Sequence, residues 1–233
     1  MKKDIVIQKI VPMIAELIKD EHHEVKMGVL QGIQQVALVV GPEIFSGPLL
    51  MSLSNLMKES QWRVRLAVVT LVSNLAVQFG KEFYAKNLET IFLLFLTDTA
   101  STVRDIGTEK LQLLANEFKA DWVINGYLPK AMEVLNKEKL GYLHRTAALS
   151  SIASLTVALS KEQIGIHLIP ILLKYCKDPI ANVKFCLAKL LAKIIPKLDA
   201  QTLNSKVKPM LAEMANDPDK DVQYFSKIAL NLC

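Results

Sequence analysis

Apolar residues recur at steps of three and four along most of the chain, as at Leu88, Ile91, Phe92 and Phe95, and again at Val183, Cys186, Leu187, Leu190 and Ile194. Such steps place the side chains on one face of a helix, and the two-residue alternation of a half-buried strand is absent. The pattern predicts an all-α protein. Its helical stretches are separated by six related polar segments: DEHHEVK (20–26), ESQWRVR (59–65), DTASTVR (98–104), KLGYLHR (139–145), DPIANVK (178–184) and DPDKDVQ (217–223). Their last positions fall at 26, 65, 104, 145, 184 and 223, so the spacings are 39, 39, 41, 39 and 39. A constant period of this size marks a helical solenoid, in which a unit buries its apolar face only against its neighbours.

Each unit therefore reads as helix, short turn, helix, with boundaries near 4–41, 42–80, 81–119, 120–160, 161–199 and 200–233. Val25, Val64, Val103, Val183 and Val222 open the apolar stripe of the second helices and are expected in the core. Six residues before the last position stands an acid in five of the six turns: Asp20, Glu59, Asp98, Asp178 and Asp217, with Lys139 in the remaining one. Such an acid can accept from backbone donors at the next helix N-terminus. Lys26, Arg65, Arg104, Arg145 and Lys184 fall in the first turn of a helix, whose dipole disfavours a cation there. Each is expected to pair with an acid of its own or a neighbouring unit, forming a ladder along the stack. Pro12, Pro48, Pro129, Pro170 and Pro209 recur early in first helices and predict a shared bend or helix start, because proline lacks a backbone donor. Gly41 and Gly80 follow second helices, where a left-handed cap is needed.

The turn ESQWRVR carries the most distinctive pair. Trp62 and Arg63 lie before the apolar stripe begins, and side chains of these types carry disproportionate binding energy, about 2 kcal/mol or more on truncation. They are left over for a partner, unless Trp62 folds back as a hydrophobic staple over its own turn.

With 233 residues, 51% hydrophobic and 22% charged, the chain can bury a large core. Its net charge of +5 is spread among 23 acids. The one register that could grip nucleic acid, Lys26, Arg65, Arg104, Arg145 and Lys184, is neutralised by the acids six residues earlier, so a nucleic-acid binder is the weaker class. Cys176, Cys186 and Cys233 cannot all pair, which points to free thiols in a reducing cytoplasmic compartment, with the nucleus also open to the chain. Asp4, Gln8, Lys9 and Glu16 interrupt the opening stretch, which argues against a signal peptide, and no run of about 18 apolar residues predicts a membrane helix. His22, His23, His144 and His167 lie in turns and helices with no metal-ligand spacing. The nine glycines are dispersed, mostly at helix ends or turns, and form no phosphate loop, and no nucleophile elbow is present. Neither a catalytic centre nor a cofactor is expected. Ile5, Ile7, Ile10 and Met13 leave apolar surface at the first helix, so an uncapped stack of this kind is expected to self-associate.

The period, the paired helices and the D-x-x-x-x-V-[KR] turn resemble HEAT repeats. The strings WRVRLAVV, YLHRTAAL, DPIANVKF and VKPMLAEMANDPDKDVQYFSKIAL, in this order and spacing, resemble more narrowly the C-terminal part of the scaffold (A, 65 kDa regulatory) subunits of type 2A protein phosphatases. That resemblance covers nearly the whole chain and implies a right-handed α-α superhelix of HEAT repeats, the six units here matching the last six of fifteen. It further implies a non-catalytic scaffold whose intra-repeat turns hold the phosphatase catalytic subunit, with a variable regulatory subunit held by earlier repeats of the full array, and no nucleic acid or membrane as partner. Carried over by position, the contact residues are Gln61, Trp62 and Arg63, then Thr99, Ser101 and Thr102, then Tyr142 and His144, Ile180, Ala181 and Asn182, and finally Pro218, Asp219 and Lys220. Ser101 stands where the family tends to carry an aromatic residue, and Lys139 replaces the acid that opens the fourth turn. A trafficking or assembly adaptor built on the same repeat is the alternative within the fold.

Overall fold

The computed structural model describes residues 3–45, 48–137 and 141–233, so Lys139 lies outside the described residues. The chain forms two compact units, 1–117 and 118–233. Among the described residues each unit contains three helix pairs and no strand. In the first unit the pairs are α1 (3–17) with α2 (His23–Val40), α3 (Pro48–Leu56) with α4 (62–79), and α5 (81–97) with α6 (101–118). In the second they are α7 (120–135) with α8 (142–158), α9 (161–177) with α10 (181–197), and α11 (200–214) with α12 (Lys220–Leu230).

The first helices are not uniform. Among the described residues five of them contain a wide π turn: Val6–Ile10, Tyr84–Leu88, Trp122–Tyr127, Ile164–Leu168 and Leu203–Val207. In four, proline follows at once, as Pro12, Pro129, Pro170 and Pro209. The extra residue in the turn accommodates a proline ring that cannot donate to the helical ladder. These prolines therefore follow a π turn within a continuing helix, whereas Pro48 opens α3.

The core of each unit follows the apolar stripes. Val64, Val103, Val183 and Val222 are fully buried. Val25 is only half-buried, a departure from the expected pattern. Phe45, Phe79 and Phe83 cluster with ring centroids 5.0–6.0 Å apart, joining the segment before α3 to the end of α4 and the start of α5. In the second unit the Tyr127 hydroxyl donates to Ser151 Oγ at 2.8 Å, joining α7 to α8 inside the core.

The glycines depart from the expected placing at helix ends. Gly28, Gly32 and Gly107 lie inside α2 and α6, and Gly165 lies in the π turn of α9. A methyl group at Gly165 would meet Thr202 Oγ1 at 2.5 Å, so a bare backbone lets α9 approach the start of α11. Gly41 and Gly80 do end second helices, with φ of 93° and 86°. Lys119 occupies the same register 39 residues after Gly80 and holds φ 69°, ψ −178°. That region is open to glycine and costs other residues on the order of 1–3 kcal/mol. Lys119→Gly is therefore expected to stabilise the protein by about 1 kcal/mol, after the greater chain entropy of glycine is set against the relieved strain. Urea unfolding checks it, and a lower midpoint would show that the lysine is not strained.

Candidate partner interface

Behind the turns runs a series of ion pairs with one repeating offset. Lys26 bonds Glu59, Arg65 bonds Asp98, Arg145 bonds Asp178 and Lys184 bonds Asp217, each between residues 33 apart. The basic residue of one pair thus always reaches the acid of the following pair. Two rungs join the three turns of the first unit, and two join those of the second. Arg65 bonds to both the carboxylate and the backbone around it. Its Nε and Nη2 each donate to the Asp98 carboxylate at 2.7 Å, while Nη1 donates to the carbonyls of Glu59 at 2.5 Å and Ser60 at 3.1 Å. The side chains of both partners are almost wholly buried, at 8% and 3% exposure.

The carbonyl contacts answer the objection that a cation sits badly in the first turn of its own helix. Arg65 faces the C-terminal end of the preceding helix, whose free carbonyls and negative dipole end attract it. Arg104 does the same, with Nη1 donating to the carbonyls of Asp98 at 2.7 Å and Thr99 at 3.1 Å. Gln223, the neutral residue at this register, donates to the Asp217 carbonyl at 2.8 Å. Among the described residues Arg104 makes no ion pair.

The acids serve two groups at once. Asp98, Asp178 and Asp217 also accept from the backbone N–H two residues on, at 2.8, 2.9 and 3.0 Å, which fixes the turn between the helices. Asp20 makes the same bond to His22 N. Burial raises the Asp217 carboxyl, but the bonds from Lys184 and from the Asp219 N–H outweigh it and hold its pKa below the ordinary carboxylate value.

With these groups held inside, the tips face outward. Gln61 and Arg63 are exposed, as are Thr99, Ser101 and Thr102. Tyr142 is 38% and Ile180 40% exposed. His144 and Ala181 are half-buried, and Asn182, Pro218 and Lys220 are exposed. Asp219 is committed locally: its carboxylate caps α12 by accepting from Asp221 N and Val222 N. Leu143, 44% exposed beside Tyr142, adds an apolar tip that the repeating turn pattern did not single out. Trp62 is the first residue of α4, half-buried, with the Arg63 guanidinium 4.6 Å from its ring centroid, and it lines a groove against α2.

Other chemistry is sparse. Lys26, Arg65 and Arg104 are each at most 9% exposed, so the basic register faces inward and does not form a surface stripe. Among the described residues no cluster of His, Cys, Asp and Glu could hold a metal ion. The cysteines are free, and burial pushes the Cys176 thiol up to about 12, which keeps it protonated and unreactive. No helix among the described residues is long and apolar enough to cross a membrane.

No family model matches the chain. It is 45% identical over 53 residues to the serine/threonine-protein phosphatase PP2A 65 kDa regulatory subunit of Drosophila melanogaster, an alignment covering 23% of this chain and 9% of that protein. It is 28% identical over 127 residues to the regulatory A-type chain of protein phosphatase PP2A from Saccharomyces cerevisiae, covering 52% of this chain and 20% of that protein. The chain thus spans only about a tenth to a fifth of the length of these relatives. Among solved structures, Cex1p superposes with a TM-score of 0.62 at 16% identity, over 98% of this chain and 47% of that one. The chain resembles the 65 kDa regulatory subunits of PP2A, and its fold is an all-α helical-repeat array.

Proposed function

We propose that this chain is a non-catalytic scaffold that docks the catalytic subunit of a type 2A serine/threonine protein phosphatase on the turns between its paired helices, and positions it relative to a regulatory subunit. The observation that carries the reading is the ladder. Four ion pairs of one offset, the Arg65–Asp98 pair almost wholly buried, fix three consecutive turns in each unit before any partner arrives. Turns held in this way lose little freedom on binding, which favours affinity. Exposed Arg63, Tyr142 and Ile180 then offer the arginine, aromatic and apolar side chains that anchor interfaces. The names of the relatives support the choice of partner.

Trp62 and Arg63 are the proposed anchors of the first unit, with Gln61, Thr99, Ser101 and Thr102 around them. Tyr142, His144, Ile180, Ala181, Asn182, Pro218, Asp219 and Lys220 are the proposed contacts of the second. The activity belongs to the partner, and the chain works in the cytoplasm and nucleus without a cofactor. The test is capture of purified type 2A catalytic subunit by the immobilised chain. Trp62→Ala/Arg63→Ala is expected to keep its helices by circular dichroism and to lose capture at least about tenfold. Failure of the parent to capture the subunit would leave a helical-repeat adaptor for a different partner.

A further inference from the structure

A groove of about 520 Å³ runs between α2 and α4 in the first unit, from the turn that carries Trp62 and Arg63 along the helices. Its floor is Leu30 and Leu71, both nearly fully buried. At one end lie Trp62 and Arg63, and at the other Gln34 and Asn74. We propose that this groove binds an extended segment of a partner protein, apolar in its middle and carrying an Asp or Glu carboxylate that meets Arg63.

Three observations select that occupant. The first is length. Trp62 and Asn74 are twelve residues apart on one helix, about 18 Å, which holds about five residues of extended chain. The second is the amide pair. Asn74 Nδ2 donates to Gln34 Oε1 at 3.1 Å, and among the described residues Asn74 Oδ1 and Gln34 Nε2 make no further bond. One acceptor and one donor side by side match the N–H and C=O of an extended backbone. A helix, with its backbone bonds made internally, or a bare hydrocarbon would leave them unused. The third is charge. Among the residues lining the groove Arg63 is charged, and no acid opposes it. The N-termini of α2 and α4 open at the same end, adding positive potential there. An apolar segment ending in a carboxylate satisfies all three.

The proposal shares Trp62 and Arg63 with the docking of a catalytic subunit but stands apart from it, since the segment lies along the helices and not on the turns. The test selects phage-displayed random heptapeptides on the full chain and titrates a fluorescein-labelled selected peptide. The expected consensus is apolar residues followed or preceded by Asp or Glu, and replacing that acid by its amide weakens binding at least about tenfold. Ala67→Phe, which fills the groove from its wall, and Asn74→Ala, which removes the amide, each weaken it by a similar factor. Capture of the catalytic subunit, run beside it, is unchanged by Ala67→Phe, which leaves the turns intact. No enrichment, a basic consensus, or a peptide that binds Ala67→Phe and Asn74→Ala as well as the parent overturns the groove assignment, whatever the capture assay gives. Absence of capture by the parent, with its peptide binding intact, would instead count against docking on the turns alone.

Discussion

Asp98→Ala is expected to lower the unfolding free energy by about 3–5 kcal/mol, seen as a fall in the urea midpoint followed by far-ultraviolet circular dichroism. The size comes from what is left behind. Arg65 keeps its carbonyl contacts to Glu59 and Ser60 but loses both charge-assisted bonds from Nε and Nη2, in a site where its side chain is 8% exposed. A buried guanidinium without its counter-charge is costly, whereas deleting both charges is not. Arg65→Met combined with Asp98→Leu is therefore expected to fall within about 1–2 kcal/mol of the parent. Glu59→Ala breaks a rung whose acid is 31% exposed and strands Lys26, whose side chain is 11% exposed, and so should cost less, about 1–2 kcal/mol. Equal losses for Asp98→Ala and Glu59→Ala would mean that the burial of the rung does not set its strength.

The second large effect is expected at Gly107. A methyl group there would lie 2.3 Å from two ring atoms of Phe95 and 2.8 Å from its Cβ, and Phe95 is fully buried. The close Cβ leaves little room for escape by a ring rotation. Overpacking costs about 3 kcal/mol and the better helix propensity of alanine returns about 1, so Gly107→Ala should destabilise by about 2 kcal/mol. The same change at Gly32, where nothing lies within 4 Å, should stabilise by about 1 kcal/mol. Opposite signs for one substitution in two helices isolate the contact with Phe95. Relief of the Gly107→Ala penalty by Phe95→Leu would confirm its source, and equal signs at the two glycines would contradict it.

What could be read in advance was whatever repeats along the chain. The six turn segments announce the helix pairs, and the acids and bases within them name the members of the rungs. The offset of 33 between partners is the period of 39 less the six residues from acid to base, so the choice between pairing within a unit and pairing with the next depends on stacking alone. What could not be read depends on neighbours distant in sequence or on backbone shape. The π turn at Tyr84–Leu88 has no proline to mark it. The strain at Lys119 shows only through its register with Gly41 and Gly80. Gly107 looks like any helical glycine until Phe95 is placed against it. Trp62 was legible as an unusual residue in a turn, but its setting depends on α2, whose groove-lining residues lie some 28–35 positions earlier.

The most direct test of the central claim, that turns fixed by a ladder of ion pairs form a phosphatase docking surface, is a calorimetric titration of purified type 2A catalytic subunit into this chain and into Trp62→Ala/Arg63→Ala. Saturable binding by the parent, weakened at least about tenfold in the variant with helicity unchanged, is the result the account predicts. No heat from the parent, or equal affinity in the two proteins, would contradict it.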